Sequence, residues 1–196
     1  MKRRRLILLT LSTTVFLAVL AIPLSAWAKP IYSISDIGSP KTVIDFEKYD
    51  YGTPTPISEG GATISSPPGF SVAAKTYPDD ENVSGKYLGF NPIDCYITFD
   101  QPVSQFGLGV YDPNFPDNQL IAYDADLNEL ERISLPYDAF AVTSIFAGFK
   151  RAQADIKKIA LIHDPSDSIG IDNITFSQAT TAPLPGVIWL LLGSDL

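Results

Sequence analysis

The sequence predicts an all-β protein, most simply a jelly-roll-like antiparallel β-sandwich, with an N-terminal signal helix and a short apolar C-terminal tail. Apolar and polar residues alternate over many short segments of the 196-residue chain, which is the period of a half-buried strand. Sixteen prolines and thirteen glycines interrupt these segments, and helical periodicity is scarce. Many short strands between such turns are typical of sandwiches and jelly rolls.

Eleven segments carry strand-like alternation. In chain order they read KTVIDFEKY, GATISS, FSVAAKTY, KYLGF, CYITFD, VSQFGLGVYD, QLIAYDAD, LERISLP, SIFAGFK, IKKIALIHD and GIDNITFSQ. In the first segment, alternation would place Val43, Asp45 and Glu47 on one side of a strand. The clearest hairpin surrounds residues 124–128, where Asp and Asn tolerate the left-handed conformations that tight turns need.

The first 28 residues have the three parts of a secretory signal peptide. A basic cluster at residues 2–5 precedes an apolar run over residues 6–24, and Ala26 and Ala28 form an A-x-A cleavage site. We therefore expect signal peptidase and the secretion machinery as partners, with transient membrane contact through this segment. The alternative is an uncleaved anchor, for which the run is long enough. The sequence favours export to the periplasm, cell surface or extracellular space.

Charge excludes one class of partner. Cleavage after residue 28 removes four of the 14 Lys and Arg residues and none of the 22 Asp and Glu residues, so the net charge changes from −8 to −12. Binding of nucleic acid depends on clustered Lys and Arg, so this composition argues against it. Acidic loops favour solubility, and they also suit a hard cation such as Ca²⁺.

The body of the chain, residues 29–178, has the length of one domain. Cys95 is the only cysteine, so no disulfide forms within the chain, and the core must be held by packing alone. Cys95 begins an alternating segment, and free cysteine is among the most buried residue types. We expect it to be a small buried core residue.

No catalytic constellation stands out, and the sequence predicts that the protein is not an enzyme. His163 is the single histidine; it is followed by Asp164, but adjacent turn residues rarely converge, and the G-x-S-x-G elbow is absent. One His and one Cys make no zinc ligand set. Phosphate-binding and dinucleotide-binding glycine motifs are also absent. Hydrolysis of a glycoside by two carboxylates stays open, since sequence alone does not show their separation.

One cofactor is suggested, a structural Ca²⁺. Asp45 and Glu47 lie in the first long predicted strand, about 7 Å apart by strand rise, and Asp172 lies in the last. The first and last strands of jelly rolls are commonly neighbours, so the three carboxylates could supply the hard oxygen ligands that Ca²⁺ needs. The alternative is that these acids are solvated.

Aromatic residues suggest a second class of ligand, carbohydrate. The chain has nine tyrosines and eleven phenylalanines, and most of the rings must fill the core. Exposed rings stack on sugars, with nearby Asp and Asn side chains binding hydroxyl groups. The tyrosines near strand ends or loops are Tyr77, Tyr87, Tyr96, Tyr111, Tyr123 and Tyr137.

A linker over residues 179–185 and an apolar tail over residues 186–196 end the chain with APLPGVIWLLLGSDL. This end resembles the C-terminal signal of bacterial PEP-CTERM proteins, in the variant Val-Pro-Leu-Pro-Ala-Ala-Val-Trp-Leu. The resemblance implies a β-sandwich cargo domain, delivery to the surface or the exopolysaccharide, and processing by an exosortase. On that basis Pro183, Leu184 and Pro185 would be the recognition motif.

The tail departs from the family in length. A spanning helix needs about 20 apolar residues, and only eleven follow Pro185, with no Lys or Arg among them. We expect a truncated signal that does not anchor the protein. The function favoured by the sequence is therefore a non-enzymatic exported bacterial protein of the envelope or extracellular matrix. The alternative is a carbohydrate-binding or carbohydrate-active β-sandwich, stabilised by calcium.

Overall fold

The structure, a computed structural model, describes residues 28–66, 70–75, 79–89, 94–162 and 164–177. Within these ranges the only helix is a single 3₁₀ turn (Ile34–Asp36), and everything else regular is strand. The strands are β1 (Lys29–Ile31), β2 (Thr42–Ile44), β3 (Ile57–Glu59), β4 (Ala62–Ser65), β5 (Ser71–Ala74), β6 (Lys86–Gly89), β7 (Cys95–Val103), β8 (Gln105–Tyr111), β9 (Gln119–Tyr123), β10 (Glu129–Ser134), β11 (Ser144–Lys150), β12 (Ile156–Ile162) and β13 (Gly170–Ser177). The all-β prediction is confirmed.

The strands form two antiparallel sheets. The first sheet has the order β1-β11-β8-β13-β6-β5, with β2 also paired to β13, and the second has the order β10-β9-β12-β7-β4-β3. Strands β6 to β13 alone give β11-β8-β13-β6 facing β10-β9-β12-β7, the eight-stranded arrangement of a jelly roll. As expected, an early strand lies beside the last one, with Ile44 paired to Ile174.

The core fills the space between the sheets. Phe99 of the second sheet packs against Phe106 and Phe176 of the first, with ring centroids 5.8 and 5.0 Å apart. Cys95 is 2% exposed within this core, which confirms its predicted role as a buried apolar residue. Burial of apolar side chains is the main stabilising contribution, about 25 cal/mol for each Å² removed from water.

Two predicted strands differ from those observed. The segment VSQFGLGVYD is divided at Ser104, because Val103 belongs to β7 in one sheet and Gln105 begins β8 in the other. Buried Ser104 makes this corner possible, since its N–H donates to the carbonyl of Ser177 and its carbonyl accepts from the N–H of Arg151. Alternation alone does not show where a chain changes sheets.

The predicted strand KTVIDFEKY ends early, at Ile44. Phe46 has a φ of 59° and a fully buried ring, and the N–H of Glu47 donates to Asp45 Oδ1 at 3.3 Å. The chain therefore turns at this point so that Phe46 reaches the core. Asp45 and Glu47 lie in that turn and do not share a strand face, which corrects the prediction.

Several predicted features lie outside the described residues. These are the signal helix with Ala26 of the cleavage site, Tyr77, His163, the linker, the motif residues Pro183, Leu184 and Pro185, and the tail. Ala28 is described, and its N–H donates to Glu131 Oε2 at 3.2 Å immediately before β1 begins. In the described part of the chain, no helix is long and apolar enough to cross a membrane.

Candidate functional site

The outer surface of the second sheet carries a group of half-exposed aromatic and polar side chains. Ile159 of β12 is buried in the core beside its partner Ile97 of β7. Lys158 precedes Ile159 and is paired with Thr98 and Tyr123, so these three side chains lie on the opposite surface, away from the core. We call this surface, around Tyr96, Lys158 and Tyr123, the outer face.

Tyr96 and Lys158 make the closest contact on the outer face. The ammonium nitrogen of Lys158 lies 4.2 Å from the centre of the Tyr96 ring, a cation–π geometry. The Tyr96 hydroxyl lies 3.5 Å from Asp94 Oδ2. Burial, and then the negative charge of Asp94, raise the pKa of Tyr96. Tyr96 therefore stays a neutral phenol with a partly open ring.

Polar side chains extend the outer face toward the edge strand β10. Arg132 is paired with Ile121 of β9 across the sheet, and it donates to Glu129 through Nε and Nη2. Its Nη1 donates to Gln119 Oε1. These contacts hold an exposed guanidinium and an amide in fixed positions beside the tyrosines. The outer face thus offers flat rings for an apolar ligand surface and donors and acceptors for hydroxyl groups.

The remaining predicted tyrosines divide into two groups. The rings of Tyr87 and Tyr111 are in tilted contact with centroids 5.2 Å apart, and Lys75 Nζ lies 5.7 Å from the centre of the Tyr111 ring. Tyr111 is buried, so this pair has a packing role. Tyr137 is 51% exposed and lies in the loop between β10 and β11, not on a strand of either sheet. Tyr87 is half-exposed on the inner strand β6, but its ring lies against Tyr111. Tyr96 and Tyr123 are half-exposed on the two strands that flank β12.

Sequence reasoning did not single out Lys158. A signal for it exists, because a lysine at a central position of an alternating strand must point away from the core. The sequence does not say that β12 is an inner strand with a tyrosine-bearing strand on each side. That arrangement comes from the order of the strands.

Asp172, a predicted calcium ligand, is buried on β13 opposite Gly109 of β8. Its Oδ2 accepts a hydrogen bond from the N–H of Ser84 at 3.0 Å, whereas its buried Oδ1 has no hydrogen-bond partner. Burial raises the pKa of Asp172 to about 7; the hydrogen bonds oppose this shift, and the negative charges of Asp45 and Glu47 add to it. The carboxylate is therefore in a place where a cation would stabilise it.

Asp45 and Glu47 are near enough to act electrostatically on Asp172, so the fold brings the three predicted ligands to one region. Glu47 Oε1 accepts from the N–H of Lys86 at 2.6 Å, which ties the turn after β2 to β6. No three His, Cys, Asp or Glu side chains of the described residues are grouped closely enough to hold a metal ion by themselves. The calcium site stays a prediction.

Comparison with known proteins gives likeness in fold. No protein-family model and no curated protein matches the chain. The K2 cleaved adhesin domain of Lys-gingipain is 13% identical, with a TM-score of 0.48 over 72% of this chain and 99% of that one. TmCBM61 in complex with β-1,4-galactotriose is 9% identical, with a TM-score of 0.37 over 67% and 88%. A family 11 carbohydrate-binding module from Clostridium thermocellum, in complex with a β-1,3-1,4-mixed-linked tetrasaccharide, is 10% identical, with a TM-score of 0.32 over 71% and 96%. Likeness at this level describes the arrangement of strands alone.

Proposed function

We propose that this chain is a non-catalytic carbohydrate-binding β-sandwich of an exported bacterial protein, and that the outer face is its binding surface. The observation that carries the proposal is the pair of half-exposed tyrosines, Tyr96 and Tyr123, on either side of Lys158 in the middle of a sheet. Sugar rings have apolar C–H faces and polar edges, so they match flat aromatic rings bordered by fixed hydrogen-bonding groups. The sheet holds these groups in place before the ligand arrives, which lowers the entropic cost of binding.

The test is retardation of the protein, produced from the full chain, in gels containing soluble polysaccharides. At least one polysaccharide should slow the protein, and Tyr96→Ala and Tyr123→Ala should each weaken binding about tenfold or more, as expected for central aromatic contacts. Tyr32→Ala is the matched control, because Tyr32 is exposed and lies just after β1 in the other sheet. Unchanged binding in both tyrosine variants, or loss of binding in Tyr137→Ala instead, would contradict the outer face as the site.

Export is a further part of the proposal, and it is supported by the signal-like residues 1–28 and by the tail. In this account signal peptidase cuts after Ala28, and the protein acts in the envelope or in an exopolysaccharide matrix. Pro183, Leu184 and Pro185 would be a substrate motif for an exosortase. The N-terminal sequence of the mature protein tests this directly: Lys29 should be the first residue, and recovery of an intact N-terminus from the cell would contradict it.

A bound Ca²⁺ is the second component that a specific observation favours. Asp172 Oδ1 is a buried carboxylate oxygen without a hydrogen-bond partner, and Asp45 and Glu47 add negative charge at the same place. Such an oxygen fits a hard cation, which takes six to eight oxygen ligands from carboxylates, backbone carbonyls and water. Asp172 would be the central ligand, with Asp45 and Glu47 nearby and with backbone carbonyls and water completing the coordination, and the ion would link the turn after β2 to β13.

Melting temperature tests the calcium component. A ligand that binds only the folded state stabilises it by about 2.7 kcal/mol at a concentration 100 times Kd, which raises the melting temperature by several degrees. CaCl₂ should therefore stabilise the protein relative to EGTA, and Asp172→Asn should lose this response. Equal melting temperatures in CaCl₂ and EGTA would contradict the calcium site without affecting the outer face.

A further inference from the structure

We propose that the polysaccharide recognised by the outer face is anionic, and that Lys158 binds its carboxylate. This inference rests on the proposed carbohydrate-binding function and adds the chemical class of the ligand. It starts from the position of Lys158, an ammonium group in the middle of a sheet surface with a tyrosine-bearing strand on each side. Neither the sorting signal nor the calcium site explains why a lysine side chain lies in the middle of the outer face.

Lys158 is a half-buried basic side chain for which the described residues provide no polar partner. Four of them form ion pairs with carboxylates: Lys48, Lys75, Arg132 and Arg151. Three others donate to backbone carbonyls: Lys41, Lys86 and Lys157. Lys29 and Lys150 are exposed, and they lie opposite each other on β1 and β11 at the edge of the first sheet. Among the half-buried basic side chains in the described part of the chain, Lys158 is the one without an ion pair or hydrogen bond, and its ammonium group lies over an aromatic ring.

The ammonium group of Lys158 can therefore donate its hydrogen bonds to a ligand. Partial burial removes some of the water around a charged group, and that loss is unfavourable unless an opposite charge or a hydrogen bond replaces it. The ring of Tyr96 gives part of this compensation. A carboxylate on a sugar stacked beside Tyr96 or Tyr123 would give the rest through a charge-assisted hydrogen bond.

The charges around Lys158 permit an anionic ligand despite the acidic composition of the chain. Arg132 and Glu129 neutralise each other on β10, which β9 separates from β12. The carboxylate of Asp94 lies 3.5 Å from the Tyr96 hydroxyl, whereas Lys158 lies over the ring face. Acidic residues elsewhere are screened beyond about 8 Å at physiological ionic strength, so the local charge decides binding.

The experiment compares uronic acid polymers with their carboxyl-reduced forms, which have the same backbone and no charge. The wild-type full chain should bind polygalacturonate or alginate at least tenfold more tightly than the reduced polymer, and added NaCl should weaken that binding. Lys158→Gln should abolish the preference and Lys158→Arg should keep it. Lys150→Gln is the matched control, because it removes the same charge from the first sheet.

The outcomes separate this inference from the proposed function. Equal affinity for the acidic and reduced polymers, or an unchanged preference in Lys158→Gln, would overturn the anionic ligand and leave carbohydrate binding in place. Failure to bind any charged or neutral polysaccharide would overturn both. Far-ultraviolet circular dichroism of each variant shows that it is folded, so loss of binding in Lys158→Gln is not loss of structure.

Discussion

Leu127 shows how a single residue adopts a conformation that its side chain disfavours. It has a φ of 64° in the turn between β9 and β10, although Asp and Asn residues surround it. Asp124 explains this choice, because its Oδ1 accepts hydrogen bonds from the N–H groups of Asp126 and Asn128. The hydrogen bonds to Asp124 thus fix the backbone on both sides of Leu127, and Leu127 is the residue that adopts the left-handed conformation.

Replacement of Leu127 should therefore stabilise the protein. A left-handed conformation costs a residue with a side chain about 1–2 kcal/mol, and glycine avoids that cost. Leu127 is 64% exposed, so little packing is lost. Leu127→Gly should raise the free energy of unfolding by about 1 kcal/mol in urea titrations. Ala125→Gly, in the same turn and without a positive φ, is the control, and equal effects of the two changes would contradict this account.

Asp80 organises the loop before β6. It accepts hydrogen bonds from the N–H groups of Asn82 and Val83, from Ser144 Oγ and from Lys75 Nζ. Burial raises the pKa of Asp80, but these bonds, the one from Ser144 first, lower it more, to about 2. The ionised carboxylate is therefore the form that stabilises the fold.

The sign of the pH effect follows from that depressed pKa. Between about pH 4 and pH 2 the unfolded chain binds the proton more readily than the folded chain, so stability decreases as pH falls through this interval. Asp80→Asn should lower the free energy of unfolding by about 1–2 kcal/mol at pH 6, since charge-assisted bonds are lost. The difference between wild type and variant should shrink toward pH 2. A constant difference from pH 6 to pH 2 would show that ionisation of Asp80 is unimportant.

At the scale of elements, the segment 79–85 packs closely on the outer surface of the first sheet. This is possible because Gly109, which lies beneath the segment, has no side chain. A methyl group there would lie 1.9 Å from the carbonyl oxygen of Asn82. The same carbonyl accepts from Asn173 Nδ2 at 2.9 Å. Close approach of two backbones explains why this strand carries glycine, and it positions Ser84 over Asp172.

Gly109→Ala should consequently displace the 79–85 segment. Overpacking of this kind costs about 1–3 kcal/mol of stability. It should also weaken the calcium response, since the Ser84 contact to Asp172 moves with the segment. Gly38→Ala is the control, because a methyl group at Gly38 would meet only Gln105 at an ordinary 3.5 Å. Melting temperatures of both variants measure the effect, and similar losses would contradict it.

For the whole molecule, the single thiol reports on the opening of the sandwich. Cys95 lies in the core between the sheets, and burial raises the pKa of its thiol, so both access and reactivity are suppressed in the folded state. Labelling by a thiol reagent in native buffer should be about 10³-fold or more slower than in denaturant, because marginal stabilities of at least 5 kcal/mol leave few open molecules. Rapid native labelling would mean that β7 is not a core strand.

The extent to which the sequence predicted this molecule depends on the range of the interactions involved. Alternation correctly indicated most of the strands, the hairpin at residues 124–128 and the burial of Cys95, because burial of a side chain leaves a local period of two. The short strands β1 and β3 were not predicted. Alternation did not predict the corner at Ser104, which depends on hydrogen bonds to the distant residues Ser177 and Arg151. It also did not predict the turn at Asp45–Glu47, which depends on the burial of Phe46 in the core. The sequence suggested Asp45, Glu47 and Asp172 as calcium ligands, but it did not show that Asp172 is buried next to a β-bulge.

The sequence by itself determined the fold class, the acidic charge and the signal-like composition of the two ends, because these are properties of composition and of neighbouring residues. Only the tertiary structure decided which tyrosines are open, that Lys158 lies between two of them without a polar partner, and that Asp172 is buried with one oxygen unpaired. The physical reason is that strand order and register bring together residues that are remote in the chain. Exposure and charge pairing, which decide what a surface binds, exist only after that assembly.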